Sequence, residues 1–336
     1  MLKTIKTVPE PEKRLWFRTI LRYRCSVIPA ILPRVLFCSG FGLLIVLLHF
    51  WGFPVSLPIL SSIVPSIVLG LLLVFRTNTA YERFWEGRKL WGNIVNTNRN
   101  LARTIWVAIP ENTPQDRDRK KEALRLLLAF AIATKQHLRR EAIDGELHGL
   151  ISRDRYEKLQ HMNNPPLEVV FWLADYLQWE YERQRLSIYQ LTALLRLVDI
   201  LVDSLGACER ILKTPIPLAY VIHLKQLLLL YCLALPFQVV RDITWATPLL
   251  VAAISFAVFG IEEIGIEIEN PFGRDLNDLP LDEICRTMQT NIEDLMSLSP
   301  QSPRSGFSRY DDKDKPLNGE FDSHDGSSSG KLFPTP

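Results

Sequence analysis

Apolar residues in this chain are gathered into long runs. No Asp, Glu, Lys or Arg occurs in the 41 positions 35–75. Residues 35–53 supply 19 uncharged positions, including Leu43-Leu44-Ile45-Val46-Leu47-Leu48; Pro54 and Pro58 break the pattern, and 57–75 supply a second run. A bilayer core about 30 Å thick is crossed by about 20 apolar residues of helix, so the pair predicts a membrane hairpin with a short uncharged connection. A second pair is predicted at 218–240, interrupted by His223, Lys225, Gln226 and Gln238, and at 243–261, beginning after Arg241-Asp242 and ending at Glu262-Glu263. A secretory signal peptide does not explain the first run, which is too long and is followed at once by another. A soluble helical protein would keep a polar face on each helix, so four membrane spans are the expectation.

Between the pairs the period becomes amphipathic. Ala123, Leu124, Leu127, Leu128, Ile132 and Leu138 mark one helical face, and Leu191, Leu194, Leu195, Val198, Leu201, Val202 and Leu205 another; such faces need packing partners. Asn112-Thr113-Pro114 and Pro165-Pro166 predict loops. No strand alternation extends over a useful length. From 299 onward the composition shifts to Asp325-Gly326-Ser327-Ser328-Ser329-Gly330 and scattered prolines, predicting a disordered tail. The chain therefore divides into a basic amphipathic segment (1–34), two spans (35–75), a cytosolic helical region (76–217), two further spans (218–261), a cytosolic segment (262–298) and the tail (299–336).

Charge refines this picture. The whole chain of 336 residues has 39 Lys+Arg against 37 Asp+Glu, a net +2, which gives no electrostatic case for a nucleic-acid partner. The excess is local: residues 1–34 hold eight Lys/Arg against two acids, and Arg76, Arg83, Arg88 and Lys89 follow the second run. By the positive-inside rule both termini and the middle region lie on the cytoplasmic or stromal side, compatible with a plasma or a thylakoid membrane. The five cysteines are odd in number and form no C-x-x-C pair, against a disulfide scaffold or a zinc site. No phosphate-binding glycine loop, nucleophile elbow or H-E-x-x-H motif is present, and no two of the six histidines are three or four residues apart. No enzyme is expected.

Three features could carry transport. Ile63, Ile67, Leu71 and Phe75 recur at i, i+4 and share one helix face. Repeated around an axis, that face would make an apolar constriction that gates by dewetting; the 67–75 step is about 12 Å of helix. On the outer half of the same run lie Ser61, Ser62, Pro65 and Ser66, where hydroxyls could solvate a dehydrated ion of either sign and Pro65 would free the carbonyl of Ser61. Glu262, Glu263, Glu267, Glu269, Asp275 and Asp278 cluster after the last run; hard cations such as calcium suit such oxygens, although no full calcium-loop spacing is present.

With these residues in view the chain resembles the bestrophin family of ion channels, on its bacterial and plant side. The resemblance spans roughly residues 10–295 and rests on four stretches in the family's order. The first is Arg76, Asn78, Tyr81, Glu82, Arg83, Phe84, Trp85, Glu86, Arg88, Trp91. The others are Gly206-Ala207-Cys208-Glu209-Arg210, Thr214-Pro215-Ile216-Pro217 and Asn270-Pro271-Phe272-Gly273. The resemblance implies an all-α membrane protein, a homopentamer around one pore, with four transmembrane helices and a helical cytosolic part in each subunit. It places the family's three neck residues at Ile67, Leu71 and Phe75, in agreement with the periodic stripe. It places a second, cytosolic aperture near Tyr189, where a tyrosine departs from the family's usual aliphatic residue. Animal members hold calcium in an acidic loop after Asn-Pro-Phe-Gly. Asp275 and Asp278 match two of its acids and are the candidate calcium ligands, while Arg274, Leu276 and Asn277 interrupt it, so calcium is possible but not expected, and no other cofactor is.

The functional expectation is a passive anion channel for chloride, with bicarbonate and nitrate as further candidates. Ile63, Ser62, Pro65 and Ser66 would line its outer pore, and Arg76 and Arg83 its basic cytosolic flank, tempered by Glu82 and Glu86. A sodium channel on the same scaffold and a non-conducting membrane scaffold are the rival readings.

Overall fold

The structure is a computed structural model that describes residues 26–57 and 63–298. Residues 1–25, Ser61, Ser62 and the 299–336 tail lie outside the described residues. Nine α-helices occur among the described ones, and no strand does. They are α1 (Ile28–Phe50), α2 (Val64–Ala108), α3 (Pro114–Arg139), α4 (Arg153–Gln160), α5 (Pro165–Glu182), α6 (Ile188–Lys213), α7 (Leu218–Ile243), α8 (Thr247–Glu267) and α9 (Leu281–Ser297).

The starts follow local chemistry. Proline stands in the first turn of α1, α2, α3, α5 and α8, where its missing N–H is one of the donors a helix leaves unpaired anyway. Helix α3 opens with a Thr113/Asp116 capping box and α6 with a Ser187/Gln190 one, each satisfying two orphan donors. A 3-10 turn, Thr244–Ala246, joins α7 to α8. Thr244 takes a positive φ of 39° there, and the chain reverses, because Lys225 on α7 comes within 3.9 Å of Glu262 on α8.

Three continuous helical stretches are long and apolar enough to cross a membrane: Ile28–Phe50, Val64–Ala108 and Leu218–Glu267, the last comprising α7, the turn and α8. The expected helix limits shift. The first run is helical from Ile28, seven residues before the uncharged stretch begins. The second is helical only from Val64, so 64–75 give about 18 Å of apolar helix, and α2 then runs on for 45 residues in all. The change from apolar to charged at Phe75-Arg76 falls inside one helix, because backbone hydrogen bonding is indifferent to that change and no proline follows until Pro110.

Two main cores result. Ile31, Val35, Cys38, Leu69, Leu73, Leu224, Leu228, Val251 and Phe259 pack α1, the start of α2, α7 and α8 together. Gly42 lets α1 close on α7 and α8: a Cβ there would meet Pro248, Val251 and Pro236 at 3.5–3.7 Å. The larger core joins the rest of α2 to α3, α5, α6 and α9 through Trp91, Trp106, Phe130, Leu177, Leu201 and Met288. The amphipathic faces expected at 120–140 and 186–212 are thereby buried. Helix α2 belongs to both cores.

Candidate functional site

The first turns of α2 are buried on one narrow stripe, Leu69, Leu73, Arg76 and Ala80. At 100° per residue Ile67, Leu71 and Phe75 fall on the opposite side, and they are 60%, 53% and 56% exposed in the protomer. Ile63, one turn earlier, is more exposed still. The four apolar positions thus form a continuous free face.

The serine-proline group divides. Ser62 lies outside the described residues. Pro65 is in the first turn of α2, and Ser61, whose carbonyl it was expected to free, lies outside the described residues. The Ser66 hydroxyl pairs with the Tyr231 hydroxyl of α7 at 3.2 Å, so it ties two helices together at the edge of the face.

The two arginines expected to flank the cytosolic mouth are engaged within the protomer. Arg76 is 2% exposed. It lies against Gly265 of α8, with Glu269 at 3.7 Å and no hydrogen-bond partner for Nε or Nη1. Arg83 donates from Nε to the Glu269 carbonyl at 3.2 Å, from Nη2 to the Ile211 carbonyl at 2.6 Å and from Nη1 to the Thr214 carbonyl. Those carbonyls close the C-terminal ends of α6 and α8, where helix acceptors lack intrahelical donors and carry partial negative charge. Farther along α2, Arg88, Lys89, Arg99 and Arg103 are exposed, with Lys89 5.8 Å from the Trp85 ring.

All four motif stretches meet around Arg83. The Ile216 N–H donates to Glu269 Oε1 at 3.3 Å, and Arg210 pairs with Glu86 at 2.9 Å. Pro271 and the fully buried Phe272 lie against Gly87, where a Cβ would stand 2.9 Å from Pro271 and 3.1 Å from Phe272. Glu209 receives Lys213 at 2.7 Å, His137 at 2.9 Å and Asn164 at 2.9 Å. Burial works against its carboxylate, but the Lys213 and His137 bonds prevail and hold it below the ordinary glutamate value. The sequence marked these residues only as motif members; the knot they tie has no signal in hydropathy.

Tyr189 sits in the first turn of α6 and is 85% exposed. Asp275 and Asp278 are engaged within their own loop. Asp278 Oδ2 accepts the Asp275 N–H at 2.7 Å, closing the loop on itself, and burial pushes the Asp278 carboxyl up. Asn277 donates to Glu267 at 2.6 Å, and Arg274 pairs with Glu141. Among the described residues no group of three or more His, Cys, Asp or Glu could hold a metal ion, and in this loop Asp278 Oδ1 is the one side-chain oxygen that is buried without a hydrogen-bond partner, against the six to eight oxygens calcium takes.

Comparison with known proteins agrees with this architecture. The profile of the bacterial/fungal bestrophin family matches residues 8–294. A protein of Nostoc sp. named voltage-dependent anion channel-forming protein is 62% identical over 288 residues, covering 86% of this chain and 94% of the relative. A protein of the same name from Synechocystis sp. is 60% identical over 292 residues, covering 87% and 95%. The crystal structure of a bacterial bestrophin homolog from Klebsiella pneumoniae superposes with a TM-score of 0.74 at 27% identity, covering 80% of this chain and all of that one. The chain belongs to the bacterial/fungal bestrophin family.

Proposed function

We propose that this chain is one subunit of a homopentameric anion channel in which α1, the start of α2, α7 and α8 each cross the membrane and Ile67, Leu71 and Phe75 form the neck. The observation that carries the reading is the free apolar face of α2. Its opposite stripe is packed into the protomer, so the face presents one side chain per helical turn to an axis of symmetry. Five copies would stack three apolar rings through which a water column is thin and dewets readily. The relatives' names supply the anion; chloride is the simplest permeant, with bicarbonate and nitrate as alternatives. Arg76, one residue after Phe75 but on the packed side of α2, with a carboxylate of Glu269 at 3.7 Å, would add positive charge behind the inner end of the neck, where a low dielectric strengthens its field. Both termini and the α3–α6 bundle are placed on the cytoplasmic or stromal side by the basic residues.

Currents from the purified protein in planar bilayers test this. Under a chloride gradient the reversal potential is expected to follow chloride, and Ile67→Ala, Leu71→Ala and Phe75→Ala to raise the current or hold the channel open. A reversal potential that follows the cation, or three truncations that leave the current unchanged, overturns the reading.

A further inference from the structure

A cleft of about 520 Å³ opens between α1, α7 and α8, with no residue of α2 in its lining. It has two chemically distinct ends. Phe37, Leu229 and Phe259 line one, and Arg34, Lys225 and Glu262 close the other. The charged end lies at a definite depth: Arg34 directly precedes the uncharged 35–75 stretch, and Glu262 directly follows the apolar run of α8. The apolar end faces outward, since Phe37 and Leu229 are well exposed. A polar head over an apolar slot at the edge of the hydrocarbon layer matches an amphiphile.

The charged end also states what kind of head it lacks. Two bases and two acids balance there. Arg34 pairs with Glu263 at 2.9 Å and reaches Glu262 Oε2 only at 3.9 Å, while Lys225 stands 3.9 Å from Glu262 Oε1. Those longer distances are ion pairs without hydrogen bonds. Glu262 is 2% exposed, and its Oε1 has no hydrogen-bond partner among the described residues. A buried acceptor without a donor is costly. A further cation would be repelled by Arg34 and Lys225, and an anion by Glu262 and Glu263. The missing element is a neutral donor.

We propose that this cleft binds a membrane lipid with an uncharged, hydroxyl-bearing headgroup, of the glycosyl-diacylglycerol type, a headgroup O–H donating to Glu262 Oε1 and an acyl chain lying along Phe37, Leu229 and Phe259. The site rests on the reading that α1, α7 and α8 stand in a bilayer. The test extracts the protein with an amine-oxide detergent, because sugar detergents carry the same hydroxyls. The protein is then placed in lipid nanodiscs of phosphatidylcholine alone or with a minor share of digalactosyl-diacylglycerol or phosphatidylglycerol. Retained lipid is read by native mass spectrometry and stability by thermal unfolding. Retention of the galactolipid over phosphatidylcholine is expected at about tenfold or more, as one hydrogen bond to a charged acceptor supplies, with a raised Tm. Glu262→Met should abolish the preference, and so, independently, should Leu229→Trp, which fills the apolar slot and leaves the charged end intact. Equal retention of phosphatidylcholine (apolar filling alone) or of phosphatidylglycerol (attraction of charge) overturns the proposal. Retention of no lipid while the oligomer persists overturns it too, since another copy then covers the cleft. Protein that never enters the discs refutes the membrane reading itself and is recognised separately, by its failure to co-elute with them.

Discussion

Arg83 illustrates how little a residue's charge says about its use. Beside an apolar run it reads as a mouth-lining cation; in the fold it gathers the carbonyls of Ile211, Thr214 and Glu269. Arg83→Ala leaves those acceptors without donors and is expected to cost roughly 3 kcal/mol or more, since hydrogen bonds from charged donors contribute about 1.5–3 kcal/mol each and do not add fully. Arg83→Lys should recover only part, because an ammonium cannot span three carbonyls as a planar fork does. Chemical unfolding of the purified variants followed by circular dichroism measures both, and a neutral Arg83→Ala would show that water replaces the fork freely. Gly87 is a second case. Its Cβ would intrude on Pro271 and Phe272, so Gly87→Ala should destabilise by about 1–3 kcal/mol as an overpacked contact, despite alanine's better helix propensity. Neither role is legible in sequence, because direction and close approach are tertiary. Arg76 is different: it continues the i, i+4, i+7 stripe of Leu69 and Leu73, so its burial was readable from the same periodicity that marks the candidate neck face.

Among the elements, the existence of six helices was legible, that of α4, α5 and α9 was not, and neither were the limits. The apolar runs announce α1, α2, α7 and α8, and the stripes announce α3 and α6, because burial demands a repeating face. The end of the second run at Phe75 is only a change of side-chain type, and α2 passes through it. Its described start at Val64 puts Pro65 in the first turn, whereas the sequence position of Pro65 reads equally as a helix interruption or a helix start. The N-terminus of α6 is set more locally. Ser187 Oγ accepts the Gln190 N–H at 3.3 Å, and Gln190 Oε1 accepts the Ser187 N–H at 2.9 Å. Tyr189, the candidate aperture residue, rides on that turn. Ser187→Ala is expected to cost about 1 kcal/mol and to speed hydrogen exchange in the first turn of α6, while the helix beyond Leu194, fixed by its buried stripe, keeps its protection. Unchanged exchange at 188–191 would mean that packing, not the cap, holds Tyr189 in place.

At the scale of the whole molecule, the protein is two helical cores sharing α2, with the family's motif residues knotted where they meet. The larger core carries carboxylates of opposite kinds, which makes its stability depend on pH in two directions. Asp282, bonded by Arg139 and Lys135, and Asp116, bonded by Arg185, are held well below the usual carboxylate range. Their stabilisation is complete above the unfolded value of about 3.9 and is lost as pH falls through the lower folded values. Glu180 behaves oppositely. It is fully buried, neither oxygen has a hydrogen-bond partner among the described residues, and Arg185 comes no nearer than 3.7 Å. Burial raises its carboxyl, and the Arg185 and Arg183 charges only partly offset that. From about pH 4.3, the unfolded glutamate value, up to the raised folded value, the native state binds the extra proton, so stability falls as pH rises. The Tm of the wild type should therefore drop on strong acidification and also decline across the mildly acidic range. Glu180→Gln should remove the second decline and keep the first, and Asp282→Asn should weaken the first and keep the second. Thermal unfolding of the three proteins across that range decides the matter. If Glu180→Gln follows the wild-type curve throughout, Glu180 is ionised in the fold and Arg185 neutralises it in place.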